Sequence, residues 1–122
     1  MDSRRSFERD PQWLRGVLAL LVLAILERGE AYGYDITRQL ELAGLGVVKG
    51  GTLYPVLGRL EDAAMVNVRW SEPAGGPARK YYRLTASGQH ELRRGATAWL
   101  EFARRAEGLF EGVLEGVHDG SN

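Results

Sequence analysis

The chain has 122 residues, 44% of them hydrophobic, which is one domain's worth of polypeptide and too little to enclose a large buried active site. It has no cysteine, which excludes a disulfide framework and a thiolate metal site and leads us to expect a reducing, cytoplasmic setting. Sixteen basic and sixteen acidic residues give a formal charge of zero, so the whole molecule lacks the basic excess of a general nucleic-acid binder.

The charges are unevenly placed. Between Lys49 and Leu84, Lys49, Arg59, Arg69, Arg79, Lys80 and Arg83 outnumber Glu61, Asp62 and Glu72, whereas beyond Arg105 the charges are Glu107, Glu111, Glu115 and Asp119. Any anion-binding face therefore belongs to the middle of the chain. At the N-terminus, SRRSF (residues 3–7) has the look of a twin-arginine export signal, followed by an apolar run from Gly16 to Leu26. Glu8, Asp10 and Pro11 interrupt that pattern, Glu27 closes the run and no small-residue cleavage site follows. The run is also shorter than the roughly 20 residues that span a bilayer, so a core helix is expected and a membrane partner is not.

In chain order, Pro11 begins a first helix whose apolar residues Trp13, Leu14, Val17, Leu18, Leu21, Val22, Ile25 and Leu26 cover most of its circumference, ended by Arg28 and Gly29. A second helix fits Tyr34 to Ala43, with Ile36 and Leu40 on one face and the glycines around Leu45 ending it. For the third helix, Thr52 is the expected N-cap, which places Pro55 in the first turn. Leu53, Val56, Leu57, Leu60 and Ala64 then share one face, Thr52, Pro55, Gly58, Arg59 and Asp62 the other, with Tyr54 at the border.

Met65 to Trp70 and Arg79 to Thr85 read as two strands of a β-hairpin, joined by an open loop containing Pro73, Gly75, Gly76 and Pro77. Thr85 caps a long last helix. There Leu92, Ala96, Trp99, Ala103, Ala106, Phe110, Val113 and Val117 alternate at spacings of four and three, the rhythm of a helix seam, and a homodimer would cover it with help from the first helix. Gly108, Gly112 and Gly116 beside the like-charged Glu107, Glu111 and Glu115 predict fraying beyond Val113.

The lysine and glycines before the third helix invite a phosphate. A nucleotide loop of the GxxxxGK[ST] kind is excluded, because Lys49 precedes the glycines instead of following them. Catalysis is not expected either: the two histidines, His90 and His118, lie far apart on the last helix, with no HExxH and no nucleophile elbow. No cofactor or metal is implied.

Three helices followed by a basic-stemmed hairpin are the order of a winged helix-turn-helix, whose third helix enters the major groove. The expected fold is thus mainly α with a small β-hairpin: a DNA-binding unit over residues 11–85, a dimerisation helix over 86–118, and flexible tails at 1–10 and 119–122. On this reading Thr52, Pro55, Gly58 and Arg59 face bases, Tyr54 flanks them, and Lys49 with the amides near Gly51 meets phosphate. Arg79 and Lys80 would hold the wing against the backbone. The alternative is a winged helix that binds protein. Trp99 has two readings as well, dimer core or half of an indole pair stacking a flat aromatic ligand.

YGYDI (32–36), GTLYPVLGRLE (51–61) and GPARKYYRLTASG (76–88), in this order and spacing, closely resemble the PadR family of bacterial transcriptional regulators. The resemblance covers about residues 14–88. It implies a dimeric winged-helix repressor on a palindromic operator, with the wing on flanking backbone. The single helix after the wing is similar to the smaller subfamily, some of whose members resemble drug-sensing repressors with a tryptophan pair around an aromatic ligand. Trp99 lies at the matching distance from RLT. The chain departs from the family pattern at Ala64, where a glycine often ends the third helix, and at Val47 and Val48, which replace a more polar approach to GTLYP.

Overall fold

A computed structural model of the chain describes residues 12–120, with side-chain surroundings for 16–116. The expectations placed on residues 1–11 and 121–122, and on the side chains of Trp13, Leu14, Val117, His118 and Asp119, lie outside these residues. The element order is α1 (Gln12–Glu27), β1 (Ala31–Tyr32), α2 (Gly33–Leu42), α3 (Gly50–Asp62), β2 (Val66–Ser71), β3 (Arg79–Leu84) and α4 (Ala86–Gly120).

The core is built on α1, which packs against α2, α3 and β3. Its Leu18, Val22, Leu23, Ile25 and Leu26 are buried with Ile36 and Leu40 of α2 and Leu53, Val56, Leu57 and Leu60 of α3. The helical spacing in each segment is what brings these side chains to one side. Each large aliphatic residue so buried contributes about 1.5–3 kcal/mol, enough to set the angle at which α3 presents its other face.

The sheet has three strands where the sequence suggested two. β1 pairs antiparallel with β3, giving the order β1-β3-β2, with Ala31 opposite Tyr82 and Tyr32 opposite Tyr81. Two residues are too few to show alternation, so β1 is defined only by its neighbour. β2 and β3 pair from Val66 opposite Leu84 to Ser71 opposite Arg79. Val66, Val68, Tyr82 and Leu84 turn toward the core, while Arg69, Tyr81 and Arg83 take the opposite face.

Both helices of the helix-turn-helix end in the same way. The Gly44 N–H donates to Glu41 and the Leu45 N–H to Leu40, with Gly44 left-handed at φ 81°. In α3 the Ala64 N–H donates to Glu61 and the Met65 N–H to Leu60, but the left-handed residue is Ala64, at φ 60°. The departure at Ala64 therefore keeps the glycine geometry without the glycine. Ala64 is also exposed, so the apolar face of α3 ends at Leu60.

Thr85 caps α4 as expected. Its Oγ1 accepts from the Gly88 N–H at 3.0 Å and donates to the Ala64 carbonyl at 2.7 Å, tying the start of α4 to the end of α3. A Cβ at Gly88 would collide with the Met65 carbonyl oxygen and lie 2.8 Å from Leu84 Cδ1, so only glycine fits there.

α4 is helical as far as Gly120, continuing past Val113, beyond which fraying was expected. Glycine lowers helix propensity but still supplies the backbone N–H and C=O of the ladder, and the intervening Leu, Phe and Glu favour the helix. The chain forms two compact units, one ending at Leu92 and one beginning at Arg93. Leu92 packs against the core of the first.

Candidate nucleic-acid interface

α3 begins two residues before the expected cap. Lys49 is the N-cap, in extended conformation and without a side-chain cap, and its carbonyl accepts from the Thr52 and Leu53 N–H groups at 3.0 Å. Thr52 is thus inside the first turn and Pro55 inside the second. The type of residue misled here: threonine is a good cap and glycine a poor helix former, yet the helix starts on Gly50 and Gly51. The consequence is two N-terminal amides, of Gly50 and Gly51, outside the intrahelical ladder at the positive end of the helix dipole. Pro55 has no N–H, which also leaves the exposed Gly51 carbonyl without its i+4 donor.

The face opposite the core carries Gly51, Pro55, Arg59 and Asp62, all exposed, with Thr52 and Gly58 half-buried. Among the described residues, Lys49 and Arg59 have no ion-pair partner. A Cβ at Gly51 or Gly58 would meet nothing within 4 Å, so this face is open to close approach. Tyr54 is 55% exposed, but its ring has a fixed seat. It lies against Gly33, where an added Cβ would fall 2.9 Å from its Cζ, and against Gly50, at 3.3 Å. Both glycines are first residues of helices, so the ring spans the starts of α2 and α3.

Alternation along β3 separates Arg79 from Lys80. Lys80 turns toward α3: its Nζ donates to Glu61 Oε1 at 3.3 Å and lies 5.5 Å from the Tyr82 ring and 5.9 Å from the Trp70 ring. Desolvation opposes its charge, but the Glu61 hydrogen bond and the neighbouring Tyr82 and Glu61 hold its pKa above the ordinary lysine value. Lys80 is thus already partnered, whereas Arg79 is exposed, with its guanidinium 4.9 Å over the Tyr32 ring.

Sequence reasoning missed the company Arg79 keeps. Tyr32 and Tyr81 lie 5.5 Å apart in tilted contact, Tyr34 stacks on Tyr32 at 6.1 Å, and Arg69 lies 4.8 Å over Tyr81. Arg69 is paired with Glu30, its Nε donating to Oε2 at 3.3 Å and its Nη2 to Oε1. That hydrogen bond lowers the Glu30 pKa, against desolvation, with the Arg69 and Arg83 charges adding to the effect. The signal available in the sequence was the two-residue period of β3, which places Arg79, Tyr81 and Arg83 on one face; β1 was the missing piece.

Of the residues expected at a seam, Leu92, Ala96 and Ala103 are half-buried, Trp99 is 43% exposed and Phe110 63% exposed. Phe102, Leu109, Val113 and Leu114 are exposed beside them. At about 100° per residue these side chains span an arc of about 140° around α4. No helix among the described residues is long and apolar enough to cross a membrane.

The comparisons with known proteins agree on one family. A transcriptional regulator of Mycobacterium tuberculosis is 33% identical over 97 residues, covering 80% of this chain and 89% of its own length. The crystal structure of a PadR-like transcriptional regulator from Bacillus cereus is 30% identical, with TM-score 0.72, covering 81% of this chain and 96% of that one. The negative transcriptional regulator PadR of Bacillus subtilis is 36% identical over 78 residues, and its structure in complex with operator DNA has TM-score 0.60 at 33% identity. Those two matches cover 62% and 66% of this chain but only 43% and 46% of the longer relative. The model of the transcriptional regulator PadR-like family matches residues 22–94, from the middle of α1 through the three-stranded sheet into α4. The chain therefore belongs to the PadR-like family of transcriptional regulators.

Proposed function

We propose that this regulator is a sequence-specific DNA-binding repressor of the cytoplasm that works as a homodimer on a palindromic operator. The observation that carries the reading is the outer face of α3: small residues around Arg59, which has no ion-pair partner among the described residues, headed by Lys49 and the two amides outside the helical ladder. Small residues let the helix backbone approach base edges, arginine supplies a bidentate fork for guanine, and the amides suit a phosphate. Bacillus subtilis PadR, solved on operator DNA and known as a negative regulator, supports both the duplex and the direction of control. Arg79 serves the flanking backbone, and Lys80, engaged with Glu61, orients the wing instead of touching DNA.

The apolar arc of α4 is the dimerisation surface, and two-fold pairing of recognition helices is what calls for an inverted repeat. A planar aromatic effector stacking between the Trp99 side chains of the two protomers would release the operator. It acts only if it binds the DNA-incompetent arrangement of the protomers better than the competent one, since equal affinity shifts nothing.

Arg59→Ala and Tyr54→Ala test the assignment. Each is expected to cost about 1–3 kcal/mol of operator affinity while the dimer persists in sedimentation. Wild-type binding by both variants would move recognition away from α3. A winged helix that binds protein would instead show no steep fall of duplex affinity with salt.

A further inference from the structure

Gly33 is the first residue of α2 and is buried, and its backbone is not left-handed, so no φ requirement keeps a side chain out. What excludes one is the ring of Tyr54. The three atoms nearest to a Cβ at Gly33 all belong to it, with a collision at the hydroxyl oxygen, Cζ at 2.9 Å and Cε1 at 3.1 Å. The same ring lies 3.3 Å from a Cβ at Gly50, one turn back along α3, because a helical side chain leans toward the N-terminus. β1 ends at Tyr32 and α2 begins at the next residue, so the pairing of Ala31 with Tyr82 and of Tyr32 with Tyr81 carries Gly33 to this ring with no loop between. Burial pushes the Tyr82 phenol up from its ordinary pKa, Lys80 opposes that rise, and Glu61 and Tyr54 add to it, which puts Tyr54 within reach of β3 as well. Among the described residues the Tyr54 hydroxyl makes no hydrogen bond, so the ring itself is what joins α2, α3 and the sheet.

We propose that Tyr54 is a positioning residue: its ring, wedged over Gly33 and Gly50, holds the start of α3 at the distance from α2 that lets Arg59 reach its base, and Gly33 is glycine to admit it. The proposal rests on the DNA-binding reading of α3 and deepens it, since Tyr54 then acts on specificity through the place of the helix instead of through a base. Leu53, Val56, Leu57 and Leu60 hold the buried side of α3, while the ring holds the end that carries Lys49, Gly51 and Thr52. A bidentate arginine contact tolerates a shift of only about half an ångström, so a small displacement of this end unmakes it.

The test is a double-mutant cycle of Gly33→Ala and Tyr54→Ala in the full chain, read as affinity for the best duplex enriched from a random pool relative to a mixed-sequence duplex, with urea midpoints alongside. Gly33→Ala alone is expected to lower that preference about tenfold, while affinity for the mixed-sequence duplex stays within about twofold. In the Tyr54→Ala background, where the preference has already fallen, Gly33→Ala is expected to change nothing further. Tyr54→Phe, which keeps the ring, retains the wild-type preference. Arg59→Ala lowers the preference in an otherwise wild-type chain and is nearly silent beside Gly33→Ala, because a displaced α3 does not bring Arg59 to its base. Should Gly33→Ala fail to fold, Tyr54→Ala restores folding by removing the ring it strikes; a double variant that stays unfolded would overturn the proposal. Wild-type preference in a folded Gly33→Ala, or effects of the two substitutions that simply add, would also overturn it and leave the α3 reading standing. A wild type that prefers no duplex would sink both.

Discussion

At Ala64 an L-residue is held at φ 60°, in the region where a Cβ crowds the following carbonyl, because the closing bonds from the Ala64 and Met65 N–H groups leave the backbone no other path. Ala64→Gly removes that strain and loosens the unfolded chain, and the first effect is the larger. It is expected to raise the unfolding free energy by about 0.5–1 kcal/mol, read by urea titration. A loss of stability would mean that the alanine methyl packs in a way its exposure denies. Gly88 is the opposite case, since any side chain there meets the Met65 carbonyl and Leu84. Gly88→Ala is expected to cost about 1–3 kcal/mol in the same titration.

Among the elements, the helices were legible in the sequence because period and punctuation agreed. Leu53, Val56, Leu57 and Leu60 follow the helical repeat, and all four are buried. What escaped was set by neighbours. The start of α3 depends on the path from Val48, whose side chain is buried while Val47 is exposed, and no residue preference announces it. β1 exists because β3 offers an edge to two residues. The aromatic and basic outer face was hidden with it, as the row from Arg69 to Tyr32 needs all three strands.

That row has a pH signature. The Arg69 hydrogen bond holds Glu30 below its ordinary value of 4.5, so its contribution to stability is complete above that value and is lost as pH falls through the lowered one. Melting of wild type and Glu30→Gln should therefore differ near neutrality and converge on acidification; a constant gap would place the effect elsewhere. On α4, exposed Phe110 and Trp99 belong to an arc too broad for one partner helix to cover. Trp99→Ala is expected to abolish fluorescence quenching by planar ligands while operator binding persists, and a fall to monomer would assign Trp99 to packing instead.

For the whole molecule, zero net charge conceals a division of labour. Arg69, Arg79, Lys80 and Arg83 lie on the sheet, whereas the charges of α4 beyond Arg105 include Glu107, Glu111 and Glu115, so a basic surface coexists with zero net charge. The central claim is that two copies of α3 read a duplex as a symmetric pair. It is tested most directly by selecting bound duplexes from a random pool at moderate salt and sequencing them. The account predicts enrichment of an inverted repeat whose half-site centres lie about one helical turn apart. A folded dimer that enriches no sequence, or enriches one without internal symmetry, would contradict it.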